Sequence, residues 1–187
     1  MESSNTEMLH IDLLFVILSM KTAHPKGESN MSGIKNTIVL CGFMSCGKTT
    51  IGSRLAEKLG FSFVDTDQLL FQETGKTLQE MFAIGGESYF RDLEHETVCR
   101  AAQMENVVIS TGGGVMTFER NAKVLYENGY IIHIHRPFEN CYANILRRKN
   151  RPIAGQKTKE QMLDMYNARV AAYNKYASYV LENDGTP

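Results

Sequence analysis

The sequence carries almost no excess charge: 20 Lys and Arg face 21 Asp and Glu, a formal net charge of −1 over 187 residues. A broad basic field of the kind that drives non-specific nucleic-acid binding is therefore excluded, and any anion site must be local. Cysteine is sparse. Cys41, Cys46, Cys99 and Cys141 form no C-x-x-C pair and no Cys/His spacing typical of a metal site, so reduced thiols in a cytoplasmic protein are expected. No long hydrophobic run is present. The most apolar stretch, residues 9–20 (LHIDLLFVILSM), is interrupted by His10 and Asp12 and falls short of the roughly 18 apolar residues a membrane span needs. A secretory leader is equally unsupported, because Glu2 and Glu7 make the start acidic and no small-residue cleavage site follows.

What is present is an ordinary globular mixture, 43% hydrophobic and 22% charged, enough to bury one core. The polar stretch 22–35 (TAHPKGESNMSGIK) marks residues 1–35 as an extension or linker, within which Met31 offers an alternative start. From residue 36 to 187 a single domain is expected, with strands and helices alternating and no internal repeat. The apolar or β-branched runs 37–41 (TIVLC), 61–64 (FSFV), 107–110 (VVIS), 130–135 (YIIHIH) and 178–181 (SYVL) predict buried parallel strands. Helices are predicted between them: one through Ile51, Leu55 and Leu59 stopped by Gly60, then 86–105, 118–128 before Gly129, 138–149 after Pro137, and 159–176 behind a Thr158/Gln161 capping box. Five such strands with helices on both faces make a three-layer α/β domain whose ligands bind at the carboxyl ends of the strands.

The strongest motif follows the first strand. Gly42-Phe43-Met44-Ser45-Cys46-Gly47-Lys48-Thr49 satisfies G-x-x-x-x-G-K-[ST] and opens a helix, the context of a phosphate-binding P-loop. Backbone N–H groups of the loop, through Ser45, Cys46 and Gly47 to Thr50, gather around phosphate oxygens at a helix N-terminus. Lys48 reaches the β- and γ-phosphates, and the Thr49 hydroxyl is a hard oxygen suited to Mg2+. ATP with magnesium is implied.

Two carboxylates, Asp65 and Asp67, emerge after the second strand, on similar faces if the strand persists. Asp65 is a candidate for holding a magnesium-bound water. Asp67 is a candidate partner or base for a substrate hydroxyl, with helix capping as the plainer alternative. Gly112, Gly113 and Gly114, after Thr111 at the third strand's end, permit close backbone approach by a ligand or simply make a tight turn. Arg91, Arg151 and Arg169 are candidate anion clamps, since a guanidinium fork matches a carboxylate or phosphate, although each taken singly fits a surface role.

In order and approximate spacing, GFMSCGKTT, VDTD, YFRDLE, STGGG, NRP and the segment from Arg169 to Tyr173 resemble the shikimate kinase family over about residues 36–183. The resemblance implies a P-loop NTPase-type fold and ATP-dependent phosphorylation of the shikimate 3-hydroxyl in aromatic amino-acid biosynthesis. It further implies that Lys48 and Thr49 contact phosphate and Mg2+, and that Asp65 is the metal-side acid. On the substrate side it makes Asp67 the partner of the hydroxyl, Arg91 and Arg169 the grip on the carboxylate, and Gly112 to Gly114 the substrate-side turn. Arg151 corresponds to the lid arginine, and Arg147 or Arg148 to a residue near adenine. A monomer acting on a small molecule is expected.

The chain departs from the family pattern in four places. Ser45 stands where the family often has glycine, the lid 148–152 is short, Ile153-Ala154 replace a leucine pair, and Pro187 falls where a last helix usually begins. Gluconate kinase and dephospho-coenzyme A kinase share the P-loop fold and are rival readings. A nucleotide-binding module without turnover is a rival of another class.

Overall fold

The computed structural model describes residues 36–147 and 157–184. The expected extension 1–35, the lid with Arg148 and Arg151, the Ile153-Ala154 departure and the chain end at Pro187 lie outside the described residues.

Three predicted strands form with the expected bounds: β1 (Thr37–Cys41), β3 (Val107–Ser110) and β4 (Tyr130–His135). β2 (Ser62–Asp65) and β5 (Tyr179–Glu182) each sit one residue later than their apolar runs suggest. All pairings are parallel, in the order β2-β3-β1-β4-β5. β1 and β3 are buried at every position, which explains their uninterrupted apolar sequence: helices cover both faces of the sheet centre. The edge strands β2 and β5 are only partly buried.

Helix α1 (Lys48–Leu59) buries Leu55 and Ala56 and ends at Gly60, whose φ of 68° closes the last turn through N–H bonds to the Ala56 and Glu57 carbonyls. α4 (Glu119–Asn128) starts one residue later than expected, α5 (Phe138–Arg147) starts as expected with 148–149 outside the described residues, and α6 (Lys159–Tyr176) keeps its expected bounds and its capping box at Thr158 and Gln161. Two helical segments start where the sequence did not place them. α2 (Thr66–Thr74) begins directly at the end of β2, so the strand does not persist to Asp67 and the two aspartates do not share a strand face. α3 (Leu78–Ala102) starts earlier than residue 86, behind a Thr77/Glu80 capping box. It bends at Gly85 and Gly86, whose backbone is non-helical, and it ends at Ala102 rather than 105. Met81 before the bend and Phe90 after it pack with Leu70 of α2 in a small cluster beside the main core.

This arrangement puts the loop after β1 at the middle of the sheet's carboxyl edge. The ends of β2 and β3 lie on one side of it and those of β4 and β5 on the other. Burying each branched side chain of β1, β3 and β4 is worth about 1.5–3 kcal/mol, so the edge that carries the loops is anchored by the buried core.

Candidate active site

The phosphate loop adopts the curvature its glycines permit. Gly47 has φ 107°, a conformation costly for other residues, and a Cβ there would come within 2.7 Å of the Asn183 side-chain nitrogen. Ser45, where the resembling family often has glycine, takes φ 63°, so the backbone needs the left-handed region there as well. Cys46 is fully buried beneath the loop, and all four cysteines are free, as expected. Burial pushes the Cys41 and Cys141 thiols up to about 12, which keeps them protonated near neutral pH. Lys48 folds across the loop: its Nζ donates to the Gly42 carbonyl at 2.8 Å and the Phe43 carbonyl at 3.0 Å. Thr49 and Thr50 are exposed in the first turn of α1, where unpaired helical N–H groups favour an anion.

Asp65 does two things at once. Its Oδ1 accepts from the backbone N–H groups of Asp67 and Gln68, so it is the N-cap of α2. Its Oδ2 accepts from the Thr49 hydroxyl at 3.3 Å. The capping role considered for Asp67 therefore belongs to Asp65, because the helix begins immediately after the strand. Asp67 is left exposed in the first turn of α2, with its carboxylate against Gly112. Thr49 and Asp65 together present a hydroxyl and a carboxylate oxygen beside the phosphate loop, a hard donor pair that fits Mg2+ completed by nucleotide and water. Among the described residues no cluster of three His, Cys, Asp or Glu side chains competes as a metal site.

The glycine turn after β3 lies between the loop and two arginines. Thr66 Oγ1 accepts from the Gly112 N–H at 2.9 Å, and a side chain at Gly112 would run into the Asp67 carboxylate. A Cβ on Gly113 would lie 3.3 Å from Arg169 and 3.8 Å from the Met44 backbone nitrogen of the phosphate loop. One on Gly114 would lie 3.3 Å from Arg91 and 3.9 Å from Arg169. The fold thus brings Asp67, Arg91, Arg169 and the three glycines, drawn from four separate stretches, to one place beside the phosphate loop. Arg147 stands exposed at the last turn of α5.

Three supporting residues escaped the sequence reading. Glu94, one turn after Arg91 on α3, is 5% exposed and accepts twice from Arg91 Nη1, at 3.1 and 3.0 Å. Burial pushes its carboxyl above the usual range, opposed by Arg91 and reinforced by Asp67. Tyr173, fully buried one turn after Arg169, donates to the Gly113 carbonyl at 2.6 Å, and burial pushes its phenol well up. Asn183 donates to the Cys46 carbonyl at 2.7 Å. The i,i+3 spacing of Arg91 and Glu94 was a readable signal for the first. For the other two the sequence carries none.

A phosphate loop, a hydroxyl and carboxylate pair suited to a cation, and one carboxylate and two guanidinium groups gathered beside them fit a kinase of small molecules. The sequence profile described as shikimate kinase matches residues 44–187. The shikimate kinase of Clostridium botulinum (strain Alaska E43 / Type E3) is 39% identical over 153 residues, covering 82% of this chain and 91% of its own length. That of Persephonella marina is 40% identical over 136 residues, with 73% and 82% covered. The solved structure of shikimate kinase from Acinetobacter baumannii in complex with shikimate superposes with a TM-score of 0.76 at 32% identity, covering 81% of this chain and 86% of that one. The chain belongs to the shikimate kinase family. Its reaction is the ATP-dependent, magnesium-assisted phosphorylation of shikimate, a step of aromatic amino-acid biosynthesis.

Proposed function

We propose that the residues described above divide this reaction between a donor half and an acceptor half. The observation that carries the division is Gly113, where a Cβ would lie 3.3 Å from Arg169 and 3.8 Å from the Met44 backbone nitrogen of the phosphate loop, so the two halves meet there.

In the donor half, the loop from Gly42 through Ser45, Cys46 and Gly47 to Lys48, with the Thr49 and Thr50 amides, surrounds the ATP phosphates. Lys48 offsets their charge. Thr49 and Asp65 would hold Mg2+, whose contribution when bound is to neutralise charge on the phosphates. In the acceptor half, Arg91 and Arg169 bind the shikimate carboxylate, and the N–H groups of the glycine turn assist in orienting the ring. Asp67 accepts the proton of the 3-hydroxyl, which fixes the oxygen for in-line attack on the γ-phosphoryl group. Arg151, as the lid arginine, and Arg147, near adenine, take their roles from the family pattern. A carboxylate grip of two arginines beside one aspartate favours a small carboxylated polyol over dephospho-coenzyme A.

We further read residues 36–187 as the kinase domain with 1–35 as an extension, and the protein as a cytoplasmic monomer. Among the described residues no helix is long and apolar enough to cross a membrane.

The test is ADP release from ATP and Mg2+ by the full chain, with shikimate, gluconate and dephospho-coenzyme A supplied separately. ADP release that depends on shikimate alone is the expected result. Nucleotide binding without turnover on any of the three would overturn the reading in favour of a non-catalytic module.

A further inference from the structure

Asn183 stands one residue past β5. Its backbone N–H donates to the His135 carbonyl at 2.8 Å, which prolongs the alignment of β5 on β4. Its side-chain Nδ2 donates to the Cys46 carbonyl at 2.7 Å, and the same nitrogen fills the space a Cβ on Gly47 would need. The amide is therefore packed on the Cys46–Gly47 peptide of the phosphate loop.

A peptide unit is planar and trans, so its C=O and N–H point in opposite directions. Holding the Cys46 oxygen toward β5 aims the Gly47 N–H away from β5. The neighbouring Cys46 N–H is already used on the Phe43 carbonyl, at 3.2 Å. The anchor itself is braced. Glu182, just before Asn183, pairs with His135 Nδ1 at 2.5 Å, and Tyr166 of α6 contacts His135 Nε2 at 3.1 Å while donating to the Arg136 carbonyl at 2.9 Å.

We infer that Asn183 is a positioning residue of the phosphate loop, which acts through the Cys46 carbonyl to present the Gly47 N–H to the nucleotide phosphates. This rests on the reading of that loop as the ATP site. Without the amide donor, the peptide is free to rotate and one phosphate contact is lost, while the shikimate half, built on other elements, is untouched.

The test uses the full chain and compares wild type with Asn183→Ala and Asn183→Asp. The dissociation constant of ADP with Mg2+, inhibition by inorganic tripolyphosphate and the shikimate KM are measured on each. The expected result is a rise of about tenfold in the ADP and tripolyphosphate constants in both variants, one lost hydrogen bond to a charged group, with the shikimate KM within twofold of wild type. An ADP constant unchanged in folded Asn183→Ala overturns the inference, as does an equal loss for ADP and shikimate, the mark of general loosening. A loss confined to Asn183→Asp assigns the effect to added charge and also overturns it. A loss for ADP without one for tripolyphosphate assigns Asn183 to the base instead. Should Asn183→Ala not fold, Asn183→Ser decides by the same criteria. Wild-type protein that binds no ADP would fail the functional reading itself, an outcome distinct from all of these.

Discussion

Glu94 holds Arg91 by both carboxylate oxygens, at 3.1 and 3.0 Å, while Glu87 takes the Nε and Nη2 of the same guanidinium at 3.3 and 3.2 Å. Arg91 also lies over the Phe118 ring at 4.4 Å. A side chain with many rotamers is thereby fixed in one pose beside Gly114, and the entropy of ordering it is already lost before substrate arrives.

The pair predicts a pH effect. Burial raises the Glu94 pKa above the ordinary 4.5, so this group gains its proton earlier than an exposed glutamate as pH falls. The protonated acid grips Arg91 less well, and the shikimate KM should climb in acid from above pH 4.5. Stability moves the other way. A carboxyl whose folded pKa is raised costs stability when charged, and that cost is relieved as pH falls through the folded value. Glu94→Gln should show a raised shikimate KM without the acid climb; a climb of unchanged size in that variant would assign it to another group.

Asp65 caps α2 with one oxygen and meets Thr49 with the other, so its two roles are separable by substitution. Asn caps a helix about as well as Asp, whereas Ala costs about 1 kcal/mol, which is roughly 2–4 °C in Tm for a chain of this size. Asp65→Asn should therefore melt close to wild type yet need more Mg2+ for half-maximal rate. Asp65→Ala should show both defects. Equal magnesium dependence in wild type and Asp65→Asn would confine Asp65 to the cap.

Asp67 is exposed in the first turn of α2 with its carboxylate against Gly112, the place proposed for the acceptor hydroxyl. Asp67→Asn should lower kcat by about 10²-fold to 10⁴-fold, the usual worth of a positioned proton acceptor, with ATP affinity nearly intact. Full turnover in that variant would remove Asp67 from the mechanism.

Much of this was legible in the chain. β1 and β3 are buried at every position and read as nearly continuous apolar runs, β4 is buried except at its ends, and the G-x-x-x-x-G-K-T motif sits where β1 meets α1. The two missed helical starts had signals as well: Asp65 with Gln68 and Thr77 with Glu80 are both capping spacings. The first was masked by reading β2 onward to Asp67, and the second by Gly85 and Gly86, which break the helical period in the middle of α3. Glu94 was within reach of a spacing argument. Tyr173 and Asn183 were not, because each acts on a backbone carbonyl 60 and 137 residues away in sequence, a relation that exists only after the sheet has assembled.

Arg169 and Tyr173 occupy successive turns of α6 and meet the same glycine turn from one side, the first with a guanidinium near Gly113 and the second with a hydroxyl 2.6 Å from its carbonyl. Their loss should be distinguishable. Arg169→Ala removes the charged contact proposed to the substrate carboxylate, a contact worth about 1.5–3 kcal/mol, so the shikimate KM should rise about 10-fold to 100-fold with little change in Tm. Tyr173→Phe keeps the ring in the core and leaves the Gly113 carbonyl unpaired, a cost of about 1–3 kcal/mol to the fold that should appear in the melting curve. With its carbonyl released the turn no longer holds one orientation, so the shikimate KM should rise in Tyr173→Phe too, by less than in Arg169→Ala. A shikimate KM unchanged in Arg169→Ala would remove that arginine from the carboxylate grip. A lowered Tm in Tyr173→Phe with an unchanged KM would confine the tyrosine to packing.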